Sequence, residues 1–421
     1  MTLSPTCRAL ILKVASRCNL NCTYCYMYNA GDTTYRQQPR FMSRTVAEAV
    51  LQRVRGHCAR HGVTHFTFIF HGGEPLLAGP GFYEWFVGRA GEVLRPAVQP
   101  FFALQTNGVL LTEAWCDLLA RLDVSLGISL DGTPEVNDKF RVDHQGKSSY
   151  APAVRGLQLA QRGRSRKRHP GVLCVIDVSA DPLAVYRHFR ELAVSRVNFL
   201  LPYCTHDKPP PVPAGAESAT PYADWLLAIF DQWYGEKAPK PRIQLFEQVV
   251  ELVLGIDRGF EYLGGRDLEF LVVETDGGIE AVGALKLCGN GFTKAGMNVL
   301  HHELDEALHT DLARLYHQSH HRLPAQCTAC PVVAVCGGGF LPNRYSRQNG
   351  FDNPSVFCLD LAKLITHVQN TILASLPDSL LAEEEWIPLS FEEVRRSWRA
   401  QKNGINPANG LMNSRSYEQQ I

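Results

Sequence analysis

Cys18, Cys22 and Cys25 stand in one short run, Cys18-Asn19-Leu20-Asn21-Cys22-Thr23-Tyr24-Cys25, directly after the apolar stretch Ala9 to Val14. Three thiolates in C-x3-C-x2-C spacing can hold three irons of a [4Fe–4S] cube and leave the fourth iron without a protein ligand. An open iron can coordinate a small molecule and pass it an electron directly. A ferredoxin would close such a site with a fourth Cys. A tetrahedral zinc site needs a fourth ligand too, and the thirty residues after Cys25 hold neither Cys nor His. A second set, Cys327-x2-Cys330-x5-Cys336 with Cys358 beyond, surrounds the glycine run Gly337 to Gly339. Four cysteines are a complete ligand set for one closed cluster. Four thiolates around a zinc ion are the other chemistry this spacing allows.

The first set needs elements to position it, and the next two hundred residues supply them. Short apolar runs at Phe66 to Phe70, Phe101 to Leu104, Val124 to Ile128, Gly171 to Ile176 and Arg196 to Leu201 read as strands. Between them, Ser43 to Arg60, Gly81 to Leu94, Thr112 to Leu122, Tyr150 to Gln161 and Pro182 to Ala193 carry apolar residues at helical spacing. With Ala9 to Val14 in front and a helix at Pro221 to Trp233, this makes six strand-then-helix units. Such alternation implies a parallel sheet, and chemistry gathers at the C-terminal ends of the strands of such barrels. Polar clusters follow four of the runs: Cys18 to Cys25, His71-Gly72-Gly73-Glu74-Pro75, Gln105-Thr106-Asn107-Gly108 and Ser129-Leu130-Asp131-Gly132.

On these motifs the chain resembles radical S-adenosylmethionine (SAM) enzymes. The resemblance implies a partial (β/α)6 barrel whose open iron binds SAM. It assigns Gly72, Gly73 and Glu74 to the SAM amino group, where glycine lets the backbone come close. Ser129 and Arg141 match the pair that reaches the ribose and carboxylate, and a guanidinium fork suits a carboxylate. Tyr24 stands on the adenine side, Leu200 or Leu201 lines the adenine pocket, and Asn107 joins the cofactor-binding group. Taken singly, Arg141 also fits a surface ion pair, and Gly72-Gly73 a plain turn.

The second cysteine set resembles the SPASM module, the auxiliary-cluster domain of radical SAM peptide maturases. Full SPASM modules hold two clusters and carry one more Cys four residues after the position of Cys336. Here that position is Phe340, and Cys288 has no nearby cysteine partner. One auxiliary [4Fe–4S] cluster, on Cys327, Cys330, Cys336 and Cys358, is therefore expected. His71 to Leu77, Gln105 to Leu111, Glu274-Thr-Asp-Gly-Gly-Ile-Glu280, Cys336 to Gly339 and Gly350 to Cys358 narrow the resemblance to FxsB-type maturases of ribosomally made (RiPP) peptides. It covers roughly Leu10 to Leu364.

The FxsB likeness implies a cyclophane: a C–C crosslink between an aromatic side chain and the β-carbon of a residue nearby. A 5′-deoxyadenosyl radical would take a hydrogen from that β-carbon. Restoring the ring then needs loss of one proton and one electron, and the auxiliary cluster is the expected electron sink. Asp131, Glu274, Asp276, Glu280 and Asp352 are candidate proton acceptors. Thioether or ether crosslinking, epimerisation and formylglycine-type sulfatase maturation are the alternatives, the last ranked low because those members resemble the two-cluster pattern.

The chain has 421 residues, with 42 basic and 42 acidic side chains. Two domains with appendages follow from that length: 1–235 as barrel, 236–264 as a bridging helical segment, 265–375 as the SPASM-type domain and 376–421 as tail. Zero formal charge implies no nucleic-acid partner. No run of eighteen apolar residues and no export signal is present, so no membrane is expected. Cluster ligands must be reduced thiolates, which points to the cytoplasm despite thirteen cysteines. The expected partners are a precursor peptide and an electron donor such as flavodoxin or ferredoxin. Only seventeen residues precede Cys18, so leader recognition falls to the barrel mouth, the SPASM domain, the tail or a separate leader-binding protein. Asp207 to Thr220, with four prolines, reads as a connector. Arg162 to Arg168 reads as a basic loop, and the tail carries an acidic stretch at Glu383 to Glu385.

Overall fold

The computed structural model describes residues 5–163, 169–215, 217–237, 239–377 and 388–402. Most of the basic run at 164–168 and the acidic stretch at 383–385 lie outside the described residues. Six parallel strands carry the first half: β1 Ala9–Ala15, β2 His65–Gly72, β3 Gln99–Thr106, β4 Val124–Ser129, β5 Gly171–Val175 and β6 Arg196–Leu200. The helices between them are α1 Arg44–His61, α2 Pro80–Leu94, α3 Glu113–Arg121, α4 Pro134–Phe140, α5 Tyr150–Arg162 and α6 Pro182–Glu191, with α7 Pro221–Gly235 after β6.

Local chemistry sets these boundaries. The Ser43 hydroxyl accepts the Val46 amide at the start of α1, and Gly62 ends it with φ of 63°. Asp181 caps α6 the same way through Leu183. Along β2, Phe66, Phe68 and Phe70 are buried on the helix side, while Thr67, Ile69 and His71 take the opposite face. Phe68, Phe70, Phe86 and Phe102 pack ring on ring beneath α2. Lys13, buried in β1, pairs in register with His71 and sends its ammonium into the barrel.

The sheet does not stop at six strands. Its order is β7-β6-β5-β4-β3-β2-β1-β8-β9, with β7 at Arg242–Ile243, β8 at Phe270–Val273 and β9 at Ile279–Glu280. β7 and β8 extend it in parallel at opposite edges, and β9 turns back antiparallel to β8. The bridging segment and the segment read as the second domain thus each begin by adding a strand to the barrel sheet.

After β7 come α8 Gln244–Val253, α9 Leu304–Leu308, α10 Asp311–His317, α11 Ala325–Thr328, α12 Val333–Cys336 and α13 Cys358–Ser375, then a last helix at Phe391–Lys402. α13 packs on α7 and α8, and the buried Asp360 carboxylate accepts the Ala223 amide in the first turn of α7. Asp305 at the head of α9 takes hydrogen bonds from His57 and His61 of α1 at 2.7 and 2.8 Å. The proline-rich connector joins the halves: the His206 amide donates to the Tyr345 carbonyl, and Asp207 accepts the Arg347 amide.

Gly337 follows α12 with φ of 60°, and the Gly264 amide donates to the Val335 carbonyl beside it. A Cβ on Gly337 would stand 1.7 Å from the Gly264 carbonyl oxygen. Gly337→Ala should therefore cost about 1–3 kcal/mol or more, the range for a non-glycine residue forced into a sparsely populated backbone region. A thermal midpoint equal to wild type would show that the two loops part without penalty.

Candidate active site and second cysteine centre

The barrel mouth is built on one backbone contact. The loop after β2 donates the Gly73 amide to the Ala15 carbonyl at 2.8 Å and the Glu74 amide to the Arg17 carbonyl at 2.9 Å. A Cβ on Gly72 would lie 2.2 Å from the Ala15 oxygen, and one on Gly73 would lie 2.3 Å from the Arg17 oxygen. Only glycine permits this approach, and it fixes the start of the cysteine loop against the end of β2.

A cavity of about 200 Å³ opens there, lined by Cys18, Cys22 and Cys25 together with Gly72, Gly73, Asn107, Ser129, Asp131, Arg141, Leu200 and Leu201. Tyr24 also lines it: its hydroxyl donates to Asp131 at 2.5 Å and accepts from Arg141 at 2.8 Å. Burial opposes the Arg141 charge, yet Tyr24 and Asp131 hold its pKa above the ordinary value. Asn107 reaches the Cys18 sulfur at 3.7 Å and the Asn19 side chain at 2.8 Å.

Glu74 takes a different place from the one expected. It is fully buried behind the cavity wall, and its carboxylate accepts the Leu76 amide, the Thr106 hydroxyl and the Asn107 amide at 3.0, 2.7 and 2.9 Å. It ties the ends of β2 and β3 together rather than facing the cavity.

Of the five carboxylates proposed as proton acceptors, only Asp131 reaches the cavity, and it is held by Tyr24 and by the Val175 amide at 3.0 Å. Glu274 and Glu280 belong to a buried ionic network, with Lys286 at 3.2 and 2.8 Å and Lys294 on Glu280 at 3.1 Å. Asp276 accepts from Gln38, and Asp352 sits in the loop before α13 near Arg344. Spacing could not reveal this, because these acids approach the barrel from β8, β9 and a remote loop.

Val175, Pro202 and Tyr203 of the wall escaped sequence reasoning, and His71 and Gln105 stood in polar clusters without an assigned role. Strand alternation was the available signal, since His71 and Gln105 share the barrel-facing side. The Gln105 amide donates to the Ser129 hydroxyl at 2.9 Å. The His71 pKa is pulled down to about 3 by burial and by Lys13, so the ring is neutral. Glu261, also unforeseen, is pushed up to about 7 by burial and accepts the Tyr316 hydroxyl.

The second set converges as well. Cys327, Cys330, Cys336 and Cys358 line one pocket, closed on one side by Val394, Ser397 and Trp398 of the last helix. Cys288 lies apart, in an apolar cluster with Phe340 and Leu341 that contains no other cysteine among the described residues.

Both sets fit a polynuclear cluster. Burial pushes Cys18 and Cys336 up to about 12 and Cys327 to about 11, so the thiols await a cationic centre to become thiolates. Ligand sulfurs around one zinc, each about 2.3 Å from it, sit about 4 Å apart. Among the described residues, the groups of three whose donor atoms gather within 4.8 Å are His57/His61/Asp305 and Asp267/His320/His321, and neither includes a cysteine. The thiols are therefore spread more widely than one zinc ion would hold them.

A parallel partial barrel with three cysteines at its C-terminal mouth and an open cavity beside them defines the radical SAM class. Residues 12–176 match the model of the radical SAM superfamily. The chain is 26% identical over 365 residues to a cysteine-type anaerobic sulfatase-maturating enzyme of Clostridium perfringens (strain 13 / Type A), covering 84% of this chain and 94% of that one. It is 24% identical over 383 residues to the serine-type enzyme of Bacteroides thetaiotaomicron, covering 85% and 88%. In fold it resembles native anSMEcpe with bound AdoMet, at TM-score 0.72 and 24% identity over 86% of this chain and 99% of that one. Streptococcus suis SuiB bound to its precursor peptide SuiA gives TM-score 0.52 at 16% identity, over 80% and 72%. No described helix is long and apolar enough to cross a membrane.

Tyr24 is the hinge of the polar cluster at the cavity wall. Tyr24→Phe should release Arg141 and Asp131 from each other and weaken SAM binding, by about 1.5–3 kcal/mol if the charge-assisted contact of Arg141 is lost with it. Isothermal titration with unchanged iron content checks this. An affinity equal to wild type would mean that the hydroxyl plays no part in orienting Arg141.

Proposed function

We propose that this enzyme oxidises a side chain of a polypeptide substrate at its β-carbon, and that the reaction is of the formylglycine type, acting on a Cys or Ser. The observation that carries the radical step is the convergence of Cys18, Cys22 and Cys25 with Gly72, Gly73, Ser129 and Arg141 on one open cavity. Bound to those three thiolates, a [4Fe–4S] cluster with SAM on its open iron supplies a 5′-deoxyadenosyl radical. Around it, the Gly72–Gly73 backbone receives the methionine amino group, and Arg141 and Ser129 receive the carboxylate and ribose. Tyr24, Leu200 and Leu201 form the adenine wall. Glu74 positions this loop from behind.

The relatives support the aldehyde reading over the crosslink placed first from sequence. Sulfatase-maturating enzymes align with 78 to 85% of this chain, as in Clostridium novyi at 83% and Klebsiella aerogenes at 78%. The cyclophane stays as a second reading on one observation: Phe340 and the apolar cluster around Cys288 stand where a full SPASM module would bring a further cysteine. Either reaction sheds one electron, and the Cys327, Cys330, Cys336 and Cys358 centre is the proposed sink. A flavodoxin or ferredoxin donor, a reducing compartment and a separate leader-binding protein for a ribosomal peptide belong to the same proposal.

Replacing Cys18, Cys22 and Cys25 with Ala should abolish 5′-deoxyadenosine formation and remove about four irons per chain, one cube. Retained SAM cleavage would end the radical proposal. Incubation with a sulfatase-derived Cys or Ser peptide should give an aldehyde that a hydrazide captures. A product lacking two hydrogens but inert to hydrazide, formed on an aromatic-containing peptide encoded beside the gene, would move the assignment to crosslinking.

A further inference from the structure

Aromatic rings run without a break from the cavity toward Cys336. Tyr26, next to Cys25, and Tyr203 both line the cavity, with ring centroids 5.2 Å apart, edge to face. Tyr203 stacks on Phe340 at 5.7 Å, and Phe340 stacks on Tyr262 at 4.5 Å. Tyr203 and Tyr262 thus both pack on the Phe340 ring. Phe340 is buried and is bonded directly to Gly339, whose amide donates to the Cys336 carbonyl at 3.0 Å. One ring of the stack is therefore joined to Cys336, which carries a thiol of the second set, through a peptide unit and an N–H···O bond.

Electron tunnelling decays exponentially with the gap to be crossed, and decays least through bonded atoms and rings in van der Waals contact. The offset and edge-to-face arrangements here are those that aromatic pairs prefer, so the contacts persist in the folded protein. Leucine at these positions would fill the same core but insulate it. Burial keeps the Tyr203 phenol protonated, so the ring retains its proton and serves as a bridge.

We infer that Tyr203 and Phe340 form the electron route between the cavity and the centre held by Cys327, Cys330, Cys336 and Cys358. This rests on the proposed function above. The peptide β-carbon radical gives up one electron across the two rings, and its hydroxyl, thiol or ring proton leaves to water in the cavity. The oxidised iron–sulfur centre at the second set gains that electron. A one-electron carrier protein of the flavodoxin or ferredoxin class then removes it.

The test uses reconstituted full-length enzyme without peptide, so that turnover does not enter the readout. A flash-photolysed deazaflavin injects single electrons, and absorbance with freeze-quenched electron paramagnetic resonance follows their redistribution between the two iron–sulfur centres. Phe340→Leu and Tyr203→Leu should lose the fast intramolecular phase, with iron content and reduction potentials unchanged, while Phe340→Tyr and Tyr203→Phe keep it. Should Phe340→Leu fail to fold, Tyr203→Leu, at the cavity wall, carries the test alone. A fast phase in the leucine variants equal to wild type overturns the route and leaves the rings as core packing. Iron analysis of the wild type comes first: a cysteine set without iron brings down the functional proposal itself, whereas full iron with an unaffected fast phase brings down only the route.

Discussion

The closeness of two backbones governs the rest of this molecule. Gly72 and Gly73 lie against Ala15 and Arg17 with no room for a side chain, and this contact sets the start of the cysteine loop. From that contact the loop is led past the ends of β3 and β4, where Asn107 and Asp131 take up Cys18 and Tyr24 from the other side. Glu74 shows how far the constraint reaches. A fully buried carboxylate is costly unless its oxygens are satisfied, and here three donors from two loops converge on it. The residue beside the glycines is spent on holding their loop in place.

The electrostatics follow the same economy. The cavity gathers thiols that burial keeps neutral, one guanidinium anchored by a phenol and a carboxylate, and a neutral imidazole. Glu274 and Glu280 of the C-terminal half are neutralised away from it by Lys286 and Lys294. Such a site favours a bound group that brings its own positive charge and an anionic end for Arg141, and it offers little strong base of its own.

Sequence patterning disclosed the barrel because four of the strands end in a polar cluster and the helices keep an apolar stripe, as at Val46, Val50 and Val54. Both cysteine sets were legible because their members lie close along the chain. What stayed hidden was whatever depends on distant pairing. Phe270–Val273 is four residues long and resembles many buried runs; nothing in it says that it lies beside Ala9 to Leu12. For the same reason Glu274 and Glu280 read as active-site acids, when their partners are lysines brought in by the next turn of chain. Tyr203 follows β6 with only apolar residues and a proline before it, so its place on the cavity wall emerges only once the barrel is closed.

The pairing of β8 with β1 has a consequence for the birth of the protein on the ribosome. β1 ends at Ala15, yet the strand that covers its outer edge ends only at Val273. At about 5–20 residues per second that edge waits on the order of tens of seconds for its partner. An open, apolar, parallel edge is a template for pairing with other chains. The nascent barrel is thus born with a sticky flank beside its cysteine loop. A cell that makes this enzyme must shield that flank, by a chaperone or by pacing translation, before any iron is delivered.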